Sequence, residues 1–271
     1  MISGASNETA KALLTTHLLS FEPRKALMVT ENNERAESLA QWCGFFERTA
    51  LHLEPILNAA GEIVPEHLQL FLQFLQPSKK NDEQPIFVAT RSTWDTPFPR
   101  YRELTEKSIT LEKGKKVNFT ELVELFIERG YSHGEDIYLQ PGQYRRIGDV
   151  LDLYPIQSGH PFRILFDFDL VAQIISVDRD DLSKTEDAGK ELQIFPVRYA
   201  TEEPLSEQFP SDALLVMDDQ NDAALPKDSA HISFTAFPES QVHHVHLRYL
   251  SVLKFYTVTD FLNDVRDKLQ Q

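Results

Sequence analysis

Residues 131–178, YSHGEDIYLQPGQYRRIGDVLDLYPIQSGHPFRILFDFDLVAQIISVD, restrict the possible folds more than any other part of the chain. Three short apolar runs alternate within them, at 150–154, 162–168 and 170–177. Each is rich in β-branched or aromatic residues and is bounded by Gly, Pro, Asp or Ser. That pattern predicts antiparallel strands joined by tight turns. Arg145 and Arg146 stand back to back on the strand that precedes Gly148. Successive side chains of a strand point to opposite faces, so only one of the two can lie on a given surface.

A chain of 271 residues can form one large or two modest domains with a substantial core. With 27 Lys and Arg against 42 Asp and Glu, the formal net charge is -15. Such a field repels a phosphate backbone, which disfavours direct DNA binding as the main activity unless a local basic patch exists. It favours protein partners or plain solubility. Cys43 is the single cysteine, so the chain has no internal disulfide framework and no cysteine-based zinc site. The opening MISGASNETAKALLTTHLL lacks the basic segment and continuous apolar core of a secretory signal. No run reaches the roughly 18 apolar residues of a membrane span. The expected location is the cytoplasm.

The flanking segments read as an α/β unit. Residues 7–19 predict an amphipathic helix with Ala10, Leu13, Leu14 and Leu18 at helical spacing. KALMVT at 25–30 predicts a buried strand. Asn32 or Asn33 then caps a helix through Ala36, Leu39 and Trp42. Residues 68–75 define another helix, the charged run 78–84 a solvated loop, and PIFVAT at 85–90 another buried strand. The aromatics and prolines of 94–101 predict a packed irregular segment; core packing is the expected role, although an aromatic beside Arg91 or Arg100 could also stack on a base. Asn118 is a candidate N-cap with Glu121 three residues on, and Gly130 a helix stop. Strand, helix, strand, helix in this order predicts a parallel sheet.

A phosphate cradle in such a unit needs G-x-x-x-x-G-K-S/T, with glycines that admit the backbone amides and a lysine that neutralises the phosphates. Counting from Gly4, the second glycine position is Thr9 and the lysine position is Ala10, with Lys11 one residue late. The expectation is a strand-to-helix junction that binds no nucleotide, and no cofactor is expected.

The run GQYRRIGDVLDLYP followed by PFRILFDFDLVAQIISVD resembles the interaction domain shared by the excision-repair helicase UvrB and the bacterial transcription-repair coupling factor, Mfd. In that family a glycine-led strand with arginines runs into an Ile-Asp-hydrophobic-aromatic-Pro strand. An arginine-containing strand, an acidic turn and an Ile-x-Ser-hydrophobic-x-Asp strand follow. Residues 4–14 are also similar to the P-loop-less helicase remnant of coupling factors, whereas UvrB keeps its P-loop. The resemblance implies an α/β fold: a degenerate RecA/helicase-like parallel-sheet domain at 1–106 plus 200–271, with an inserted α+β, mostly antiparallel interaction domain at 107–199. It implies a non-catalytic N-terminal module that recruits the damage-sensing protein UvrA to stalled RNA polymerase and restrains the motor domains of the full-length protein. The family's interface arginines fall on Arg145 and Arg163, with Tyr144 at the adjacent aromatic position and Arg146 beside them. The chain departs from the family at Ile147, where an arginine is usual, at Leu165, where an acidic residue is usual, and near Gly134, where an upstream arginine falls. A solvated sheet face is the competing reading of Arg145 and Arg146.

Beyond residue 200 the chain is expected to return to the first domain. LLVMDD at 214–219 predicts a strand ending in Asp218 and Asp219, the place where helicases hold a nucleotide's magnesium. Without a phosphate-binding lysine those carboxylates are expected to cap the next loop. His243, His244 and His246 lack a spaced third ligand and are expected to be structural or surface residues. Residues 231–238 and 245–253 read as strands, and 261–269 as a final helix. Catalytic motifs such as G-x-S-x-G, H-E-x-x-H or a Rossmann fingerprint do not occur. A coupling factor is several times longer than this chain, so a fragment is expected, with a short divergent paralogue as the other reading. Two further functions stay open: a nucleotide hydrolase using Gly4 and Asp218, and a stand-alone adaptor for another protein.

Overall fold

A computed structural model describes residues 2–3, 5, 7–77, 84–218, 225–226, 229–235 and 245–246. Along the chain run β1 (Ile2–Ser3), α1 (Glu8–Phe21), β2 (Ala26–Thr30), α2 (Asn33–Phe45), β3 (Ala50–Leu53), α3 (Pro65–Leu75), β4 (Ile86–Thr90), α4 (Arg91–Asp95), β5 (Pro97–Pro99) and α5 (Tyr101–Glu106). There follow β6 (Ile109–Glu112), α6 (Phe119–Glu128), β7 (Ser132–His133), β8 (Gln143–Ile147), β9 (Val150–Tyr154), β10 (Phe162–Asp167), β11 (Leu170–Val177), β12 (Thr185–Asp187) and β13 (Glu191–Ile194). The rest is β14 (Glu202–Pro204), β15 (Leu214–Asp218), β16 (Ala230–Thr235) and β17 (Val245–His246).

The expected α/β architecture is present. A parallel sheet in the order β17-β1-β16-β15-β2-β4-β3 is drawn from both ends of the chain. Its central strands are buried on both faces, which is why they read as unbroken apolar runs. Ala26, Met28 and Val88 pack under α1 and α2 with Ala12, Leu19, Leu39 and Cys43. Leu27, Val29 and Phe87 pack on the other side with Phe71 and Phe74 of α3 and with Trp94 and Phe98. Burial pushes the Cys43 thiol up to about 12, far from the range of a reactive cysteine.

Between the two sets of parallel strands lies a second sheet, β12-β11-β10-β9-β8-β7, antiparallel except where β7 meets β8. Strands β8 to β11 fall where the apolar runs predict them. Register slips by one residue between Leu165 and Phe166. The extra residue, Ala172, lets both Val171 and Ile174 turn toward the core under α6. Helix α6 is capped as expected, Asn118 Oδ1 accepting from the backbone of Thr120 and Glu121. It ends before Gly130, whose φ of 92° suits glycine. Antiparallel pairing of β6 with β13 closes this region against α6, with Leu111, Leu192 and Ile194 in one core with Leu122 and Phe126. Ile156 and Phe195 reach instead into the core of the parallel sheet, and Tyr131 Oη donates to the Phe195 carbonyl at 2.8 Å.

Four expectations need correction. The buried face of α1 is Lys11, Ala12, Thr15, Thr16 and Leu19, while Leu13 and Leu18 are exposed. Lys11 on this face pairs with a carboxylate of the sheet, and Leu13 and Leu18 turn outward. On α2 the buried third residue is Cys43, and Trp42 is only partly covered. Residues 94–101 are regular rather than irregular: Trp94 ends in α4 and residues 97–99 pair with β14. The polar run 178–190, whose composition predicts a loop with a short helical turn, holds instead an edge strand, β12, paired with β11. Readings placed on Gly4, most of 78–84, Asp219, His243, His244 and 261–269 fall outside the described residues, as does most of 245–253.

Candidate protein-interaction site

Period-two alternation divides the antiparallel sheet into a covered and an open face. Tyr144, Leu151, Leu153, Ile164 and Phe166 form the covered face against Leu122 and Phe126 of α6. Arg145, Asp152 and Arg163 are on the other side, directly opposite one another across β8, β9 and β10. Arg163 binds Asp152 bidentately, Nε to Oδ1 at 2.7 Å and Nη2 to Oδ2 at 3.2 Å. Arg145 Nη2 reaches the same Oδ2 at 3.4 Å. Two guanidinium groups thus share one carboxylate, and the cluster keeps a net positive charge.

The exposures are unequal. The Arg163 side chain is 34% exposed, those of Arg145 and Asp152 only 12%. Arg145 Nε is shielded from solvent and has no hydrogen-bond partner among the described residues. The Asp152 hydrogen bonds push the Arg163 guanidinium's pKa further up, so its charge is permanent at any working pH. Beside this row runs an apolar one, Ile147 opposite Val150 and Val150 opposite Leu165. Tyr154 and Val177 are buried at one end of the face, where the Tyr154 hydroxyl donates to the Gly159 carbonyl. The other end, toward the β8–β9 and β10–β11 turns, is open.

Of the four residues expected to form the interface, the structure brings only Arg145 and Arg163 together. Tyr144 is 5% exposed, tilted against the Phe126 ring, and burial pushes its phenol up. Its side chain is a core residue. Arg146 points to the same side as Tyr144 and lies over the Phe119 ring at 3.7 Å, its Nε donating to the Gly148 carbonyl. Asp152 was hidden within an apolar run. The signal that exposes it is a charged residue in mid-strand at the register position opposite two arginines.

At the carboxyl ends of the parallel strands, where open α/β sheets bind ligands, the chain supplies its own cation. Asp218 is buried at the end of β15 and pairs with the Lys11 ammonium. Thr30 Oγ1 donates to its other oxygen at 3.1 Å, and Arg35 Nη1 lies 3.7 Å away. Lys11, measured from sequence only against a phosphate-loop spacing, serves this carboxylate instead. Among the described residues no cluster of His, Cys, Asp and Glu has metal-binding geometry. Among them, too, no helix is long and apolar enough to cross a membrane.

Comparison with known proteins agrees with the resemblance read from the sequence. Residues 109–199 match the family described as the UvrB interaction domain. The transcription-repair-coupling factor of Bacillus subtilis is 25% identical over 191 residues, which are 69% of this chain and 16% of that protein. The UvrABC system protein B of Fervidobacterium nodosum is 29% identical over 120 residues, 44% of this chain and 18% of that protein. A second transcription-repair-coupling factor, from Borreliella burgdorferi, is 23% identical over 140 residues, 52% of this chain and 12% of that protein. The chain therefore spans less than a fifth of each of these relatives.

Proposed function

We propose that this chain is the non-catalytic N-terminal module of a transcription-repair coupling factor and that the open face around Arg145 and Arg163 receives UvrA. One coincidence carries this reading. The guanidinium-lined open face of the antiparallel sheet falls within the residues matched to the UvrB interaction domain. Guanidinium groups held flat on a sheet can make directional, charge-assisted contacts to carboxylates of a partner. In the longer protein the same module restrains the motor domains, in the cytoplasm and without a cofactor of its own. The net charge of -15 leaves direct DNA binding weak.

The competing hydrolase reading needs Asp218 for a nucleotide's metal. That carboxylate is already engaged by Lys11 and Thr30, which counts against it. Capture of purified UvrA by the immobilised chain, compared with capture by Arg145→Ala plus Arg163→Ala, tests the proposal. The expected outcome is capture by the parent and its loss in the double variant. Equal capture by both, or capture by neither, rejects the assigned surface.

A further inference from the structure

Edge strands of the two sheets are protected unequally. β12, at one edge of the antiparallel sheet, has Glu186 and Asp187 among its three exposed residues, and charges of that kind keep other strands away. β3 ends the parallel sheet and reads Ala-Leu-His-Leu, with no lysine, carboxylate or proline and no bulge in its pairing with β4. The Ile86 amide donates to the Thr49 carbonyl at 2.9 Å, which sets the ladder. In parallel pairing alternate residues bond the same neighbour. Thr49, Leu51 and Leu53 therefore face β4, while Ala50 and His52 turn their N–H and C=O groups outward. Among the described residues none pairs with that edge.

A cavity of about 470 Å³ lies against the same strand. Leu51, Leu70 and Pro85 line it together with Gln69, Gln73 and Gln84, and no described charged side chain does. Gln69 and Gln73 stand one turn apart on α3. Glutamine amides both donate and accept, so they can pair with peptide groups, while Leu51 and Leu70 offer contact to an apolar side chain. We propose that β3 accepts an extended, uncharged segment of a protein partner as an added strand, with alternate side chains entering this cavity. Unpaired main-chain groups supply the affinity in such a mode, and the cavity selects the side chains. Charge decides the class of occupant. The net charge of -15 repels a second copy of the chain and a phosphate backbone, and the cavity has no counter-ion for a charged side chain. This edge lies outside residues 109–199 and is independent of the UvrA reading.

Short random peptides displayed on phage and selected on the immobilised chain are the probe. Enriched sequences are then synthesised and titrated by fluorescence anisotropy. Expected are uncharged peptides rich in β-branched residues, which slow hydrogen exchange of the Ala50 and His52 amides when bound. His52→Pro removes an outward N–H and no bond to β4, and is expected to weaken binding at least about tenfold. Gln69→Glu plus Gln73→Glu keeps the shape of the helix surface but puts charge into the cavity. It is expected to weaken binding as much, so the test does not depend on the folding of the proline variant. Arg145→Ala plus Arg163→Ala should bind these peptides as the parent does. Enrichment of no peptide, unchanged exchange at Ala50 and His52, parental affinity in the glutamate variant, or loss in the arginine variant overturns the proposal. So does a concentration-dependent dimer in sedimentation that His52→Pro abolishes, since a second copy would then be the occupant.

Discussion

Asp152 is the pivot of the open face, since one carboxylate orients two guanidinium groups on neighbouring strands. Removing it leaves Arg145, 12% exposed in its side chain, without its counter-ion in a place water scarcely reaches. Asp152→Ala is expected to destabilise the chain by on the order of 2 kcal/mol, less than a fully buried pair because Arg163 is partly solvated. Urea unfolding measures this, and a midpoint equal to the parent's would mean the cluster contributes nothing to stability. Legibility at this scale was partial. Arg145 and Arg163 could be placed on one surface from strand parity and the family likeness. Tyr144 could not be kept off the core by the same reasoning, because parity separates the faces of a strand but does not say which one a helix will cover.

Among the elements, the Glu103 side chain helps join α5 to the chain returning after β13. Glu103 accepts the Lys107 ammonium at 2.7 Å and the backbone amides of Ala200 and Thr201 at 2.9 Å each. These donors hold its carboxyl at about 2, well below the usual carboxylate range, with the Lys107 hydrogen bond the largest cause. The sign follows from linkage. A depressed pKa means the stabilisation is complete above the usual carboxylate range and fades as pH falls toward about 2. Glu103→Gln should therefore flatten the acid limb of a melting-temperature profile over that window while changing little at higher pH. A variant profile parallel to the parent's would show that Glu103 has no part in it. The elements themselves were largely readable where local chemistry sets them. Asn118 caps α6 and Gly130 ends it, each acting over a few residues. β12 was missed because an edge strand of Thr, Glu and Asp has no apolar signature and exists only by pairing with β11.

For the molecule as a whole, the buried contact between Lys11 and Asp218 ties the first helix to a strand more than two hundred residues later. Asp218→Leu strands the Lys11 ammonium and is expected to cost about 3 kcal/mol, and Lys11→Met somewhat less, because Asp218 keeps Thr30 and Arg35. The double variant should cost clearly less than the sum, because the surviving charge is then gone. Additive losses in a double-mutant cycle would mean that the two groups are not coupled. The alternation of apolar residues determined which strands are buried on one face or on both, since side-chain period is a local property of the backbone. Turn and cap residues likewise determined where most elements begin and end. Tertiary structure decided the rest: which face of α1 meets the sheet, which arginines share Asp152, and that Lys11 neutralises Asp218. Each of those outcomes depends on groups brought together across strands or across the chain, where the cost of a buried unpaired charge selects the arrangement and no local pattern records it.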